Sequence, residues 1–138
     1  FSCLFALILN VIIAHIWFRP RPFTVLPHGT FEQLIPHSAD ASFPSDHTSG
    51  SVAFAAATWG KSAKWISWLF TVIAIITMVS RVYCGVHWPT DVLASFVVGT
   101  IAGRVMWKLS PVIYPITSLG LRLFRFGKKK SHYPANHS

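Results

Sequence analysis

Acidic residues are scarce in this sequence: four among 138 positions, against twelve lysines and arginines. Charged residues of both signs together reach only 12%, roughly half of what a soluble domain carries. With 52% of its residues hydrophobic, the chain does not have the polar surface of a soluble globular domain, and its composition points to a bilayer. Cysteine is also scarce. Cys3 and Cys84 stand alone without a C-x-x-C spacing. They fall toward opposite ends of the predicted spans, farther apart than the ~7 Å between Cα atoms that a disulfide tolerates, so no redox or metal role is assigned to either. Strand alternation and internal repeats are absent too, and the fold class read from the pattern is all-α, an integral-membrane helical bundle.

What the chain does have is four long apolar runs. Residues 1–18 carry no charge unless His15 is protonated and are just long enough to span at about 1.5 Å per residue. The run lacks the basic start and small-residue cleavage site of a signal peptide, and Asn10 and His15 are expected to face other helices. Residues 45–60 form a short inward crossing with Ser51, Ala53, Ala55, Ala56 and Ala57 for close helix approach. Their shortness fits an entrance sunk below the outer surface. Residues 65–80 cross outward, opening on Trp65 and Trp68, and residues 90–106 cross inward, carrying Gly99-x-x-x-Gly103. Pro111 and Pro115 are expected to break the pattern, followed by an amphipathic helix over 116–126 on the inner leaflet and a flexible basic tail over 127–138. Residues 23–43 form an outer loop with a short turn at 31–35. His28 and His37 in that loop have no metal-ligand spacing, and the loop reads as the border of a headgroup site.

Formal charge is +8, which in a soluble protein would suggest nucleic acid. Its distribution argues for a membrane instead. Lys61, Lys64, Arg104, Lys108, Arg122, Arg125, Lys128, Lys129 and Lys130 fall on one predicted side with no acid, while Arg19, Arg21 and Arg81 share the other with Glu32, Asp40, Asp46 and Asp91. The positive-inside rule makes the first side cytoplasmic, so the basic C-terminus is expected to meet anionic lipid headgroups. The partners expected are the bilayer and a lipid, with no nucleic acid; the oligomeric state is not legible.

Three stretches carry chemistry. In Ser80-Arg81-Val82-Tyr83-Cys84-Gly85-Val86-His87-Trp88-Pro89-Thr90-Asp91, a helix starting near Pro89 brings the Asp91 carboxylate within reach of the His87 imidazole. Such a contact fixes the tautomer and frees the other nitrogen as nucleophile or base, while Arg81 offers a positive fork for a phosphate or carboxylate. The same stretch also reads as a helix-capping aspartate beside an interfacial histidine. In Pro44-Ser45-Asp46-His47, Ser45 or Asp46 caps a helix whose first N–H groups favour an anion, and His47 adds a titratable proton. The blander alternative is an ordinary cap with a histidine in its first turn. In Phe18-Arg19-Pro20-Arg21-Pro22-Phe23, two arginines end the first run, by themselves an interfacial anchor.

Together these stretches resemble the phosphatidic acid phosphatase type 2 superfamily of integral-membrane lipid phosphatases, whose signatures are K-x6-R-P, P-S-G-H and S-R-x5-H-x3-D. Arg21-Pro22 matches the end of the first, Pro44-Ser45-Asp46-His47 the second with Asp46 in place of glycine, and Ser80-Arg81…His87…Asp91 the third in full. Ala14 stands where the first signature has lysine, and His15 is beside it. The run Ala39–His47 is similar to the bacterial undecaprenyl-diphosphatase branch of the bacitracin-resistance type, which also tends to lack the lysine. The resemblance covers residues 1–109 and implies six spanning helices, so with four visible an N-terminal truncation is expected. It implies catalytic His87, His47 and Asp91, phosphate binding by Arg21, Arg81 and Ser45, and Asp46 and Arg19 near the substrate. It further implies no cofactor and no metal, since the arginines would repel a cation from a His47–His87–Asp91 site. The expected activity is hydrolysis of undecaprenyl diphosphate through a phosphohistidine, at a site on the extracytoplasmic side of a bacterial cell membrane. The alternatives are a phosphatase or phosphotransferase for another lipid, such as phosphatidic acid or phosphatidylglycerophosphate, or a non-catalytic membrane scaffold.

Overall fold

The structure, a computed structural model, describes residues 1–27, 29–30 and 33–124. Five helices follow one another: α1 (Ser2–Ile16), α2 (Pro22–Val25), α3 (Asp46–Thr58), α4 (Lys64–Tyr83) and α5 (Pro89–Phe124). No strand occurs among the described residues. Helices α4 and α5 are long and apolar enough to cross a bilayer, yet only 11% and 28% of their apolar windows are buried within the protein. A core helix of a soluble protein would be largely covered. Here Ile73, Ile76, Val79, Leu93, Val97 and Ile101 lie exposed, which is stable where the solvent is itself apolar. The chain is therefore a membrane helical bundle. At 15 and 13 residues, α1 and α3 are shorter than a full span.

Two compact units divide the chain, Phe1–Lys108 and Leu109–Ser138. In the first, α3 is the helix that the others touch. Its small side chains make that possible: a Cβ on Gly99 would stand 2.6 Å from the Ser49 carbonyl oxygen, and one on Gly103 would stand 2.5 Å from that of Ala53. The Gly99-x-x-x-Gly103 face is thus where α5 lies backbone against backbone on α3. Ala6 of α1, Ala53 of α3 and Ala102 of α5 form one small core, and Val52, Ala55 and Ala74 join α3 to α4 in another. These pairings run α3 and α5 in the same direction, with α1 and α4 opposed to them.

One cross-link fixes depth. Asn10 Nδ2 donates to Asp46 Oδ1 at 2.7 Å, and Ser49 Oγ donates to Asn10 Oδ1 at 3.0 Å. Asn10 lies six residues before the end of α1, so α3 begins about 9 Å below that end. The entrance of α3 is recessed, as its short predicted run required. Asn10 is buried against α3, whereas His15 is exposed and bonds only to the Val11 carbonyl of its own helix. The expectation that both face other helices fails for His15, because five residues turn a helix by about 140°.

Three further boundaries differ from the sequence reading. Helix α4 runs on to Tyr83, which puts Arg81 in its last turn, and Gly85, at φ 69°, then turns the chain toward His87 as only a residue without Cβ does readily. A one-turn α2 follows Arg21 where a loop was expected. Helix α5 continues through Pro111 and Pro115 instead of breaking there. Each proline costs one backbone donor, which a helix in apolar surroundings tolerates; within the second unit the hydroxyls of Thr117 and Ser118 donate to the carbonyls of Tyr114 and Pro115. Residues 33–35 are not helical. Residues 31–32 of the expected turn, His28 and the basic tail 127–138 lie outside the described residues.

Candidate functional site

All three chemistry-bearing stretches meet at one end of the first unit: the segment after α1, the start of α3, the end of α4 and the start of α5. Arg21 is buried and uses its whole fork. Its Nε and Nη2 hold Asp40 Oδ1, each at 2.7 Å, and Nη1 donates to the Val86 carbonyl at 2.9 Å and meets His87 Nε2 at 3.3 Å. Partial burial pushes the Asp40 carboxyl up, but the Ser38 hydroxyl and the Arg21 guanidinium outweigh it and hold the group below its usual value.

His87 is buried, with Nδ1 2.7 Å from the main-chain oxygen of Ser42. A carbonyl oxygen only accepts, so Nδ1 carries the proton and the lone pair lies on Nε2. Burial first, and the neighbouring Arg21 second, depress this imidazole from 6.5 to about 4. At neutral pH it is an uncharged base with its lone pair directed at a guanidinium.

Asp91 does not hold the His87 ring directly. Its carboxylate, fully buried, accepts from the Ser42 hydroxyl, from Arg19 Nη1 at 2.7 Å and from the Trp88 backbone N–H at 3.1 Å. The last contact closes the first turn of α5 in the manner of a capping box, so the capping alternative is realised together with a link to the site. The carboxylate reaches the imidazole through Ser42 and through space, where its charge opposes the depression. Local spacing pointed to a direct contact. The actual partners come from 49 and 72 residues away, a distance that sequence periodicity does not encode.

Arg19 is held by Asp91 and Thr90 and stacks on Trp88, 5.3 Å from the ring centre. Asp46 is tied to Asn10. Both of these expected substrate-proximal residues thus serve protein partners. Ser45 occupies the cap position of α3, but its hydroxyl makes no capping bond. Among the described residues that Oγ and the Nε of Arg81 are both buried with no hydrogen-bond partner, and no acid pairs with Arg81. The Ser45 backbone N–H is fixed by Ser95 Oγ at 2.7 Å, which in turn donates to the Asp91 carbonyl. His47 is exposed in the first turn of α3, within electrostatic reach of Arg81, Arg21 and His37.

Sequence reasoning missed Ser42, Asp40 and Ser95, and left His37 as a loop histidine without an individual role. Ser42 is the most connected of them: N–H to the Arg19 carbonyl, carbonyl to His87, hydroxyl to Asp91. Ser42 and Asp40 lie in the run Ala39–His47 that the resemblance singled out, but a serine and an aspartate in a polar loop carry no individual signal. Among the described residues no three His, Cys, Asp or Glu side chains gather in a metal-holding arrangement. The assembly offers a neutral nucleophilic nitrogen, a second imidazole, fixed guanidinium charge and unpartnered donors.

The profile of the PAP2 superfamily matches residues 1–114. The chain is 40% identical over 118 residues to the undecaprenyl-diphosphatase BcrC of Bacillus subtilis (strain 168), covering 86% of this chain and 59% of that protein. It is 33% identical over 99 residues to the putative undecaprenyl-diphosphatase YbjG of Escherichia coli (strain K12), covering 70% of this chain and 48% of that one. The chain thus spans about half the length of the curated relatives it matches. The crystal structure of Aquifex aeolicus LpxE shares the fold, with a TM-score of 0.70 and 24% identity over 78% of this chain and 63% of that one. With the profile spanning nearly the whole bundle and its signature residues meeting at one end, this chain belongs to the PAP2 superfamily.

Proposed function

We propose that this chain is a membrane phosphatase that hydrolyses undecaprenyl diphosphate to undecaprenyl phosphate and inorganic phosphate. The observation that carries the reading is the neutral His87, its Nδ1 proton committed to Ser42 and its Nε2 lone pair beside Arg21. That nitrogen attacks the terminal phosphorus. The Nε2–P bond forms as the bond from phosphorus to the bridging oxygen breaks, the electron pair staying on that oxygen, which His47 protonates as it leaves. Water then attacks the phosphohistidine. His47 takes the water proton, the new P–O bond replaces P–N, and the pair returns to Nε2. Arg21, Arg81 Nε, Ser45 Oγ and the first-turn amides of α3 stabilise the equatorial oxygens, where charge accumulates. The names of the matched relatives support the diphosphate as substrate.

The distribution of cations supports a site facing away from the cytoplasm, with lysines and arginines at the opposite end. The product is the carrier lipid returned to cell-wall synthesis, and turnover lowers the diphosphate that bacitracin sequesters. The test is phosphate release by the purified chain in detergent with EDTA present. Release that His87→Ala abolishes is expected. No release from the diphosphate, or complete dependence on added metal, overturns the reading.

A further inference from the structure

His37 lies at the reacting centre, yet neither half of the mechanism uses it. Its ring stands edge-on to that of His87, centroids 6.4 Å apart and planes at 74°. It lies within electrostatic reach of His87, His47 and Asp40 alike, so one imidazole borders the proposed nucleophile, the proposed proton carrier and the anchor of Arg21. The segment that carries it is held on both sides. Leu34 N–H bonds to the Cys84 carbonyl, Ser38 Oγ to Asp40 Oδ2 at 2.8 Å, Asp40 to Arg21, and Ser42 to Arg19, His87 and Asp91.

We propose that His37 is a specificity-determining residue whose imidazole binds the second phosphate group of a lipid diphosphate while His87 reacts with the first. The inference rests on the diphosphate reading above and assigns the residue that enforces it. In that mechanism Arg81 Nε and Ser45 Oγ, the buried donors without partners, hold the phosphoryl group being transferred. When its bond to the bridging oxygen breaks, the electron pair stays with the departing lipid phosphate. A monoester substrate departs as an alcohol and has no second phosphate to hold. His37 Nδ1 faces the Ser38 carbonyl at 3.3 Å, an acceptor only, so Nδ1 donates there and Nε2 is the nitrogen left for the substrate. A phosphate oxygen accepting from Nε2 while Nδ1 donates to Ser38 holds the ring by both nitrogens, and a hydrogen bond to a charged acceptor is the stronger kind. Two rings 6.4 Å apart can be bridged by two linked phosphates.

The experiment compares kcat/KM for farnesyl diphosphate and farnesyl monophosphate in wild type, His37→Ala and His37→Gln, all purified in detergent. His37→Ala is expected to lower the ratio of diphosphate to monophosphate kcat/KM roughly 10- to 100-fold, the worth of one hydrogen bond to a charged group. His37→Gln keeps an N–H donor and is expected to recover part of the loss. Measurable monophosphate turnover certifies the fold of each variant. Equal losses on both substrates, or an undiminished rate on the diphosphate, overturn the assignment. Failure of the diphosphate reading is distinguishable, because it appears in the wild type as monophosphate hydrolysis without diphosphate hydrolysis; that result removes both.

Discussion

His87 gives its Nδ1 proton to the main-chain carbonyl of Ser42, 45 residues earlier in the chain, at 2.7 Å. A main-chain carbonyl does not ionise, so the tautomer that presents Nε2 is fixed independently of any carboxylate. Asp91 acts one step back: it grips the Ser42 hydroxyl, and Ser42 aims the ring. Ser42→Ala keeps the carbonyl and removes only the grip. Turnover is expected to fall about 10-fold, consistent with roughly one hydrogen bond's worth of positioning, with KM unchanged. Asp91→Ala also releases Arg19 and the Trp88 N–H, and is expected to cost a further about 3 kcal/mol of stability in thermal melts.

The depressed imidazole makes a prediction about acid. His87 has a folded value of about 4 against 6.5 for the ordinary group. Between these pH values the unfolded chain takes up a proton that the folded chain refuses. The contribution is therefore fully present above pH 6.5 and is lost as pH falls toward 4, amounting to about 3 kcal/mol. Denaturation in detergent from pH 7 to 4 measures this slope, and His87→Gln is expected to flatten it. An NMR titration of the His87 ring is expected to show no transition near 6.5.

The contact of α5 with α3 sets a steric prediction. Gly103→Ala drives a methyl to 2.5 Å from the Ala53 carbonyl, and Gly99→Ala to 2.6 Å from that of Ser49; neither backbone can yield without moving a helix. Each is expected to lower stability by about 1–3 kcal/mol, and activity with it, since α5 carries Asp91. Gly50→Ala meets only the Cys3 Sγ at 3.0 Å, a side chain that can turn aside, and is expected to cost less. Melting temperatures of the three variants check the order.

The Asn10–Asp46–Ser49 cross-link predicts an asymmetry. Asn10→Leu removes the side-chain partner of Asp46 and one of the two acceptors of the Ser49 hydroxyl, which keeps only the longer contact to the Ser95 carbonyl at 3.4 Å, and is expected to destabilise by about 1–3 kcal/mol. Asp46→Asn keeps an acceptor at the same place and is expected to be nearly neutral. Thermal stability of both in one detergent decides it.

Much of this was legible in the chain before its folding. Long uncharged runs, few acids and Gly99-x-x-x-Gly103 sufficed for a helical membrane bundle, because bilayer crossing and close helix approach depend on composition and local spacing. The residue types of the site were legible too, since Arg21, Ser45, His47, Arg81, His87 and Asp91 fall in short motifs. The continuity of α5 through two prolines was not, because a helix tolerates a lost donor according to surroundings that spacing does not express.

The sequence by itself determined which chemical groups the protein has and that they lie near the ends of membrane helices. Only the tertiary structure decided which group holds which: Asp91 with Arg19 and Ser42 instead of His87, Asp40 with Arg21, His37 beside His87. The physical reason is range. Hydrogen bonds and ion pairs act over a few ångströms, and the packing of α1, α4 and α5 on the small residues of α3 is what brings groups 19 to 72 positions apart within that distance.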